Sequence, residues 1–268
     1  METIKYTIAG FFAGIFESGF EYPFDVIKTR TQTSNMSSVN CIKSILKNEG
    51  YLAFYYGYTA RLCACAISGS LLFGTNEYFK SILHVKKGEI SLNAGFLTGC
   101  VEAIVYTPID LVKSRMQIKL YGNLTFKQNI KKIYYKEGLI GFYKGIFGIT
   151  VLKEGIGNCF YFGTYELVSS KLKENKMNKW IASIIGGGCA GSMYWIILPI
   201  DTIKTLKQTE SNIAPKNGNS LNIGLNIIRK FGIKRLYQGF GPVLIRAWPS
   251  NMSLFLGYEF MKDLFQID

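Results

Sequence analysis

The sequence predicts an all-α membrane protein: six transmembrane helices in three pseudo-symmetric two-helix repeats around a central cavity. Three features point to it. A ten-residue block recurs three times at nearly even spacing, long apolar stretches flank each copy, and those stretches carry acids and prolines that a simple lipid-facing helix does not. Composition agrees. Of 268 residues, 48% are hydrophobic and 15% aromatic, yet 31 Lys and Arg against 18 Asp and Glu leave a net charge of +13. A positive mean hydropathy with so much basic charge does not suit an ordinary soluble domain; it suits a membrane protein facing anionic lipid or anionic solutes. Nucleic acid, the other usual partner of a basic chain, is excluded because the basic residues are spread along the sequence at helix ends rather than clustered.

The repeats divide the chain into residues 1–86, 87–176 and 177–268 of a single transmembrane domain. The recurring block reads "PFDVIKTRTQ" from Pro23, "PIDLVKSRMQ" from Pro108 and "PIDTIKTLKQ" from Pro199, with starts 85 and 91 residues apart. Before each proline runs an apolar helix with small residues four apart: Gly10 and Gly14, Gly95 and Gly99, Gly186 and Ala190. Such spacing lets neighbouring helices approach closely in a membrane. Amphipathic connectors such as "SSVNCIKSILKNEG" follow, then a second shared block: "EGYLAFYYG" at Glu49, "EGLIGFYKG" at Glu137 and "FGIKRLYQG" at Phe231. A second apolar helix closes each repeat and ends near an acid, in "FGTNEYFK", "FGTYELVS" and "LGYEFMK".

The first helix carries Glu17, Glu21 and Asp25 besides Pro23. A charge at the bilayer centre costs about 2.5–3.5 kcal/mol on insertion scales, so such residues face a bundle interior or a water-filled cavity. A proline kink is tolerated where neighbouring helices re-satisfy the backbone. Kinked, charged helices in threefold order therefore predict a polar centre.

Other chemistries find little support. The six cysteines, Cys41, Cys63, Cys65, Cys100, Cys159 and Cys189, include no Cys-x-x-Cys pair and read as small core residues, without a disulfide framework or zinc site. His84, the only histidine, reads as a solvated helix end. No Ser-His-acid set, paired carboxylates or phosphate loop is visible, so no enzyme and no cofactor or metal is expected. The glycines of "GGGCAG" at Gly186 fall inside an apolar helix and read as packing contacts. No signal peptide precedes the first apolar run, so any targeting information is expected to be internal.

Three P-x-D-x-x-K blocks, each with a Gln nine residues after its proline and an E-G-type block downstream, resemble the mitochondrial carrier family over essentially the whole chain. The resemblance implies a monomeric six-helix barrel, multi-pass in the mitochondrial inner membrane, with bound cardiolipin near the connectors. It implies that one small solute at a time moves by alternating access. Asp and Lys three apart lie on one helix face, and three copies can close a ring. By the family pattern Asp25 meets Lys113, Asp110 meets Lys204 and Asp201 meets Lys28, with Gln32, Gln117 and Gln208 bracing a matrix-side gate. A cytosolic gate is implied in the second helices: intact as Tyr258, Glu259 and Lys262 in the third repeat, with Glu77 and Lys80 after Asn76 in the first, and with Tyr165 and Glu166 followed by Ser169 in the second. That gate is expected to be the weaker.

A threefold gate uses equivalent residues, whereas a small solute has no threefold symmetry, so solute contacts belong where the repeats disagree. Thirteen residues before Glu77, Glu166 and Glu259 stand Ala64, Lys153 and Arg246, at positions that the family uses for substrate contact near mid-membrane. The next positions are Cys65, Glu154 and Ala247, so Glu154 is also unmatched. Arg246 offers a planar fork for a carboxylate, and Glu154 a counter-charge for an ammonium or quaternary ammonium. Lys153 either assists with the carboxylate or pairs with Glu154 when no solute is bound; the bland alternative pairs Arg246 with Glu154 across the bundle. Glu17 and Glu102 stand six residues before their prolines, where the third repeat has Met193, and favour a cationic solute or proton coupling, or else partner nearby bases.

Within the family, "IRAWPSNMSLFLGYE" and "KEGIGNCFYFGTYE" are most similar to the carnitine/acylcarnitine and ornithine branch, which favours a zwitterionic or cationic amino-acid-like solute. Lys153 stands where arginine is common, and Ala64 and Ser68 leave the first repeat without an acid, which tilts the expectation from ornithine towards carnitine. S-adenosylmethionine and basic amino acids are the alternatives, and a non-transporting membrane scaffold a remoter one. Leu206 in place of Arg30 and Arg115, and Phe231 in place of the block's acid, are departures expected to touch the third matrix half.

Overall fold

The computed structural model describes residues 2–34, 36–62, 75–76, 78–84, 91–143, 147–210, 219–250 and 252, and among them there is no strand. Its helices are α1 (Glu2–Thr33), α2 (Ser38–Asn48), α3 (Leu92–Gln117), α4 (Phe126–Glu137), α5 (Phe147–Glu174), α6 (Lys179–Ser192), α7 (Leu198–Gln208) and α8 (Ser220–Phe231). Residues 58–62, 75–76, 78–82 and 240–250 are also helical. Pro23 and Pro108 lie inside α1 and α3, which run on through them.

The connectors α2, α4 and α8 are only 11–12 residues long, too short to be stable alone in water. A buried stripe holds all three, and a side-chain cap the first two. Ser37 accepts a hydrogen bond from the Asn40 amide at the start of α2, and Thr125 with Gln128 forms a reciprocal capping box on α4. Each stripe packs onto its own repeat: Cys41 and Ile45 with Tyr22 and Val26, Ile133 with Leu111, Val112 and Met116, and Ile223 and Ile227 with Leu206 and Leu236. The apolar core is thus three small clusters beneath three connectors. The glycine that follows each connector, Gly50, Gly138 and Gly232, has φ of +80°, +68° and +79°, a left-handed backbone that explains why the second block places glycine there.

The third repeat departs from the expectation of one kinked helix. Ile181–Ile196 and Leu198–Gln208 meet at 66° across a break. Proline alone does not account for it, since α1 and α3 tolerate theirs. In the third repeat the turn before Pro199 is a 3₁₀ segment, Met193–Ile196, whose Tyr194 hydroxyl accepts a hydrogen bond from Lys28 Nζ at 3.0 Å. That bond ties the tighter turn to the centre of the bundle.

Close packing is clearest between α3 and α5. A Cβ on Gly95 would lie 3.0 Å from the Asn158 carbonyl oxygen, and one on Gly99 would overlap the Glu154 carbonyl. Many large apolar side chains point outwards, among them Phe20, Ile104, Leu152, Leu167 and Ile245, while the centre is polar. This inside-out arrangement suits a bilayer rather than water. Among the described residues α3 is long and apolar enough to cross a membrane, and the bent pair passes the same criterion as one span.

Candidate functional site

The block's Asp and Lys sit three apart in the turns after each proline, so both face the centre. The structure brings all six together as a ring in which each lysine reaches the aspartate of another repeat. Lys113 Nζ lies 2.5 Å from Asp25, Lys204 Nζ 2.6 Å from Asp110 and Lys28 Nζ 2.7 Å from Asp201. Asp25, Lys28, Asp201 and Lys204 are buried. The glutamines stand beside the ring. Gln32 Nε2 donates to Asp201 at 3.2 Å and to Thr202 at 3.0 Å, Gln117 Oε1 accepts from Thr29 at 2.7 Å, and Gln208 Oε1 accepts from Ser114 at 3.1 Å. Removing one member of a buried pair costs about 3–5 kcal/mol, because the other charge is left without compensation. Such a ring is therefore costly to break by parts.

Above the ring opens a cavity of about 400 Å³. Besides the six ring charges at its floor, its lining carries four acids, Glu17, Glu21, Glu102 and Glu154, and three bases, Arg61, Lys153 and Arg246, and these seven are not symmetrically placed. On one wall Arg246, in helix 240–250, forms ion pairs with Glu21 and, at 3.5 Å, with Asp25. Arg61 reaches the same Glu21 at 2.9 Å. On the other wall, built by α3 and α5, Lys153 pairs with Glu154 at 2.7 Å, and Asn158 donates to Glu102 at 2.5 Å. The tight contact at Gly99 holds Glu154 at this depth. Glu17 lines the cavity as well.

Arg246 and Glu154 are thus not paired with each other, contrary to the bland alternative; each has a nearer partner. Lys153 pairs with Glu154, one of the two roles that the sequence leaves open for it. The two walls also touch the ring: Lys153 lies 3.8 Å from Asp201, and Glu154 lies 3.9 Å from Lys204.

Arg61 is a site residue that the sequence reading passed over, although its own rule finds it. Sixteen residues before Glu77, Glu166 and Glu259 stand Arg61, Thr150 and Val243, so Arg61 is unmatched in the other repeats. Tyr106, Tyr161 and Tyr194 also line the cavity, and the Arg246 guanidinium sits over the Tyr194 ring at 5.7 Å. No sequence periodicity marks these tyrosines among the seventeen in the chain.

At the opposite end, Lys80 forms an ion pair with Glu166, and the Tyr165 hydroxyl lies 3.4 Å from Ser183 Oγ. Glu77, Tyr258, Glu259, Lys262 and Ala64 lie outside the described residues, as do Cys63 and Cys65. The described cysteines, Cys41, Cys100, Cys159 and Cys189, are free thiols, and no group of metal-binding side chains occurs among the described residues.

Comparison with known proteins agrees with the threefold plan. A family model described as "Mitochondrial carrier protein" matches residues 1–87, 90–176 and 176–268. A mitochondrial substrate carrier family protein of Dictyostelium discoideum is 32% identical over 97% of this chain and 97% of its own. A mitochondrial glycine transporter of Saccharomyces cerevisiae is 31% identical over 97% of this chain and 91% of its own. A mitochondrial ornithine transporter of the same yeast is 30% identical over 96% and 94%.

Proposed function

Because the chain belongs to the mitochondrial carrier family, we propose that its cavity carries a small zwitterionic, amino-acid-like solute, its carboxylate held by Arg246 and Arg61 and its ammonium by Glu154 and Glu102. Carriers of this family are transporters, not enzymes, and the chain is a small-molecule transporter of a mitochondrial membrane. The observation that carries the finer reading is the separation of charge across the cavity. Two guanidinium groups share Glu21 on one wall, while the other carries two acids, Glu102 and Glu154, against the single base Lys153. A solute with both charges at opposite ends complements both walls; a plain anion or cation complements one. That two relatives are named as glycine and ornithine transporters supports the same class.

In this reading the membrane is the inner one, the chain crosses it six times as a monomer, and cardiolipin binds beside the connectors. The ring of three ion pairs is the matrix-side gate. Lys80 and Glu166, with Glu77, Glu259 and Lys262, form the cytosolic one. A carboxylate arriving at Arg246 competes with Glu21 and Asp25 for the guanidinium, and an ammonium arriving at Glu154 competes with Lys153 and Lys204. Solute binding thereby withdraws second partners from Asp25 and Lys204 in the ring, lowering the cost of opening it. Only a ligand that changes partners in this way shifts the equilibrium between closed and open forms.

A carnitine-like solute is the second reading, favoured by Tyr106 and Tyr161 in the cavity, whose ring faces attract a quaternary ammonium. Uptake into liposomes of labelled glycine, ornithine, lysine, carnitine, acylcarnitine and S-adenosylmethionine separates these readings. We expect amino acid uptake that falls at least about tenfold in Arg246→Ala and in Glu154→Ala, the loss of a charge-assisted contact worth about 1.5–3 kcal/mol. Uptake of carnitine alone would select the second reading. If nothing on the panel moved, or both variants transported as the parent does, the zwitterion site would be wrong.

A further inference from the structure

Two of the three interfaces between repeats are fastened by an arginine from the block and an acid from the connector. Arg30 Nε donates to the backbone carbonyl of Gln117 at 3.0 Å while Glu49 holds its fork. Arg115 Nε donates to the carbonyl of Gln208 at 3.0 Å while Glu137 holds its fork at 2.7 Å. The equivalent residues of the third repeat are Leu206 and Phe231, and neither can donate to a carbonyl or hold a guanidinium. Leu206 is fully buried beside Ile223 and Ile227, and Phe231 is 44% exposed.

The carbonyl they leave, that of Gln32, is nonetheless satisfied. Arg235 Nη2 donates to Gln32 O at 2.8 Å and to Ser34 O at 2.7 Å, and its Nη1 donates to Thr31 O at 3.4 Å. Arg235 is 3% exposed, and among the described residues no carboxylate pairs with it. We propose that Arg235 is the positioning residue of this third interface: supplied by the second shared block just after α8 instead of by the first, it replaces the missing arginine–acid link and holds the last turn of α1 so that Gln32 reaches Asp201 and Thr202.

The last carbonyls of a helix have no partner within it and carry its negative end, so a guanidinium fork across three of them is favourable without an acid. The position is also informative. Arg235 aligns with Ala53 and Gly141 in the other repeats. In the second repeat a Cβ at Gly141 would overlap that of Glu137, so the acid-bearing link there leaves no room for a side chain. Among the three repeats, only the one that lacks the acid carries a long side chain at this place. The consequence is chemical asymmetry: two interfaces rest on ion pairs, the third on charge and helix carbonyls.

Hydrogen exchange on the purified full-length chain in lipid nanodiscs tests this without knowing the solute. In Arg235→Ala, exchange at residues 30–34 should quicken at least about tenfold, with residues 115–119, the matching stretch at the end of α3, unchanged. Adding Leu206→Arg and Phe231→Glu to that variant should restore protection to within about twofold. In melting midpoints, Arg235→Ala and Gln32→Ala should be less than additive, since both act on the same turn. Should Arg235→Ala not fold, Arg235→Lys, which keeps the charge but not the fork, should show the same local quickening. Unchanged or uniformly faster exchange, failure of the double replacement to restore it, or strict additivity would each overturn the proposal.

Discussion

A single buried lysine illustrates how the charges of this protein depend on one another. Lys204 is 2% exposed and pairs with Asp110, with Glu154 at 3.9 Å. Lys204→Ala should therefore destabilise the fold by about 3–5 kcal/mol, read as a lowered melting midpoint. Adding Asp110→Asn should recover part of that loss, because it removes the charge left behind; if the double variant melted no higher than the single one, the pair would not be the cause. Glu49 gives the contrasting surface case. Hydrogen bonds from Arg30 and Lys119 hold its carboxyl at about 2, below the ordinary value of about 4.3. Its contribution is present above about 4.3 and is lost as pH falls from there through about 2. Melting of Glu49→Gln should accordingly be less sensitive to acid over that window than melting of the parent. Arg246 and Arg61 show what residue patterns reveal: the repeats disagree at both positions, with Ala64 and Lys153 opposite the first and Thr150 and Val243 opposite the second, and that disagreement marks them.

At the scale of the element, local sequence marks where α2 and α4 begin and where all three connectors end. Ser37 and Thr125 start their connectors, and a glycine in left-handed conformation follows each connector. Small residues set how closely helices meet, and the α3–α5 contact decides the position of Glu154. Gly99→Ala should destabilise by about 1–3 kcal/mol, the usual cost of overpacking, and should weaken solute uptake more than Ala substitution at Gly148, where a Cβ meets nothing within 4 Å. Equal effects at both glycines would mean that helix proximity does not position the site. The break before Pro199 was not legible in the sequence, because all three repeats share the proline. What distinguishes the third is Tyr194 reaching Lys28, a contact between residues 166 positions apart.

For the whole molecule, threefold order and its violations divide the labour. Equivalent residues close a ring, and unequal ones line the cavity above it. The net charge of +13 should make the carrier more heat-stable in bilayers containing an anionic diphosphatidyl lipid than in zwitterionic ones, with the difference shrinking as salt is raised; a salt-independent difference would point away from charge. The repeat, the apolar helices and the polar centre were legible in the sequence, because each rests on local periodicity repeated three times; which lysine Asp25, Asp110 and Asp201 meet came from the family resemblance, not from the pattern itself. The partners of the unmatched charges were not legible. Arg246 meets Glu21 and Asp25 rather than Glu154, Arg61 joins them, and Arg235 takes over from Leu206. Local pattern determines which face of a helix a side chain occupies, whereas the choice among several opposite charges on facing helices depends on how closely and at what angle those helices pack, and only the tertiary structure decides that.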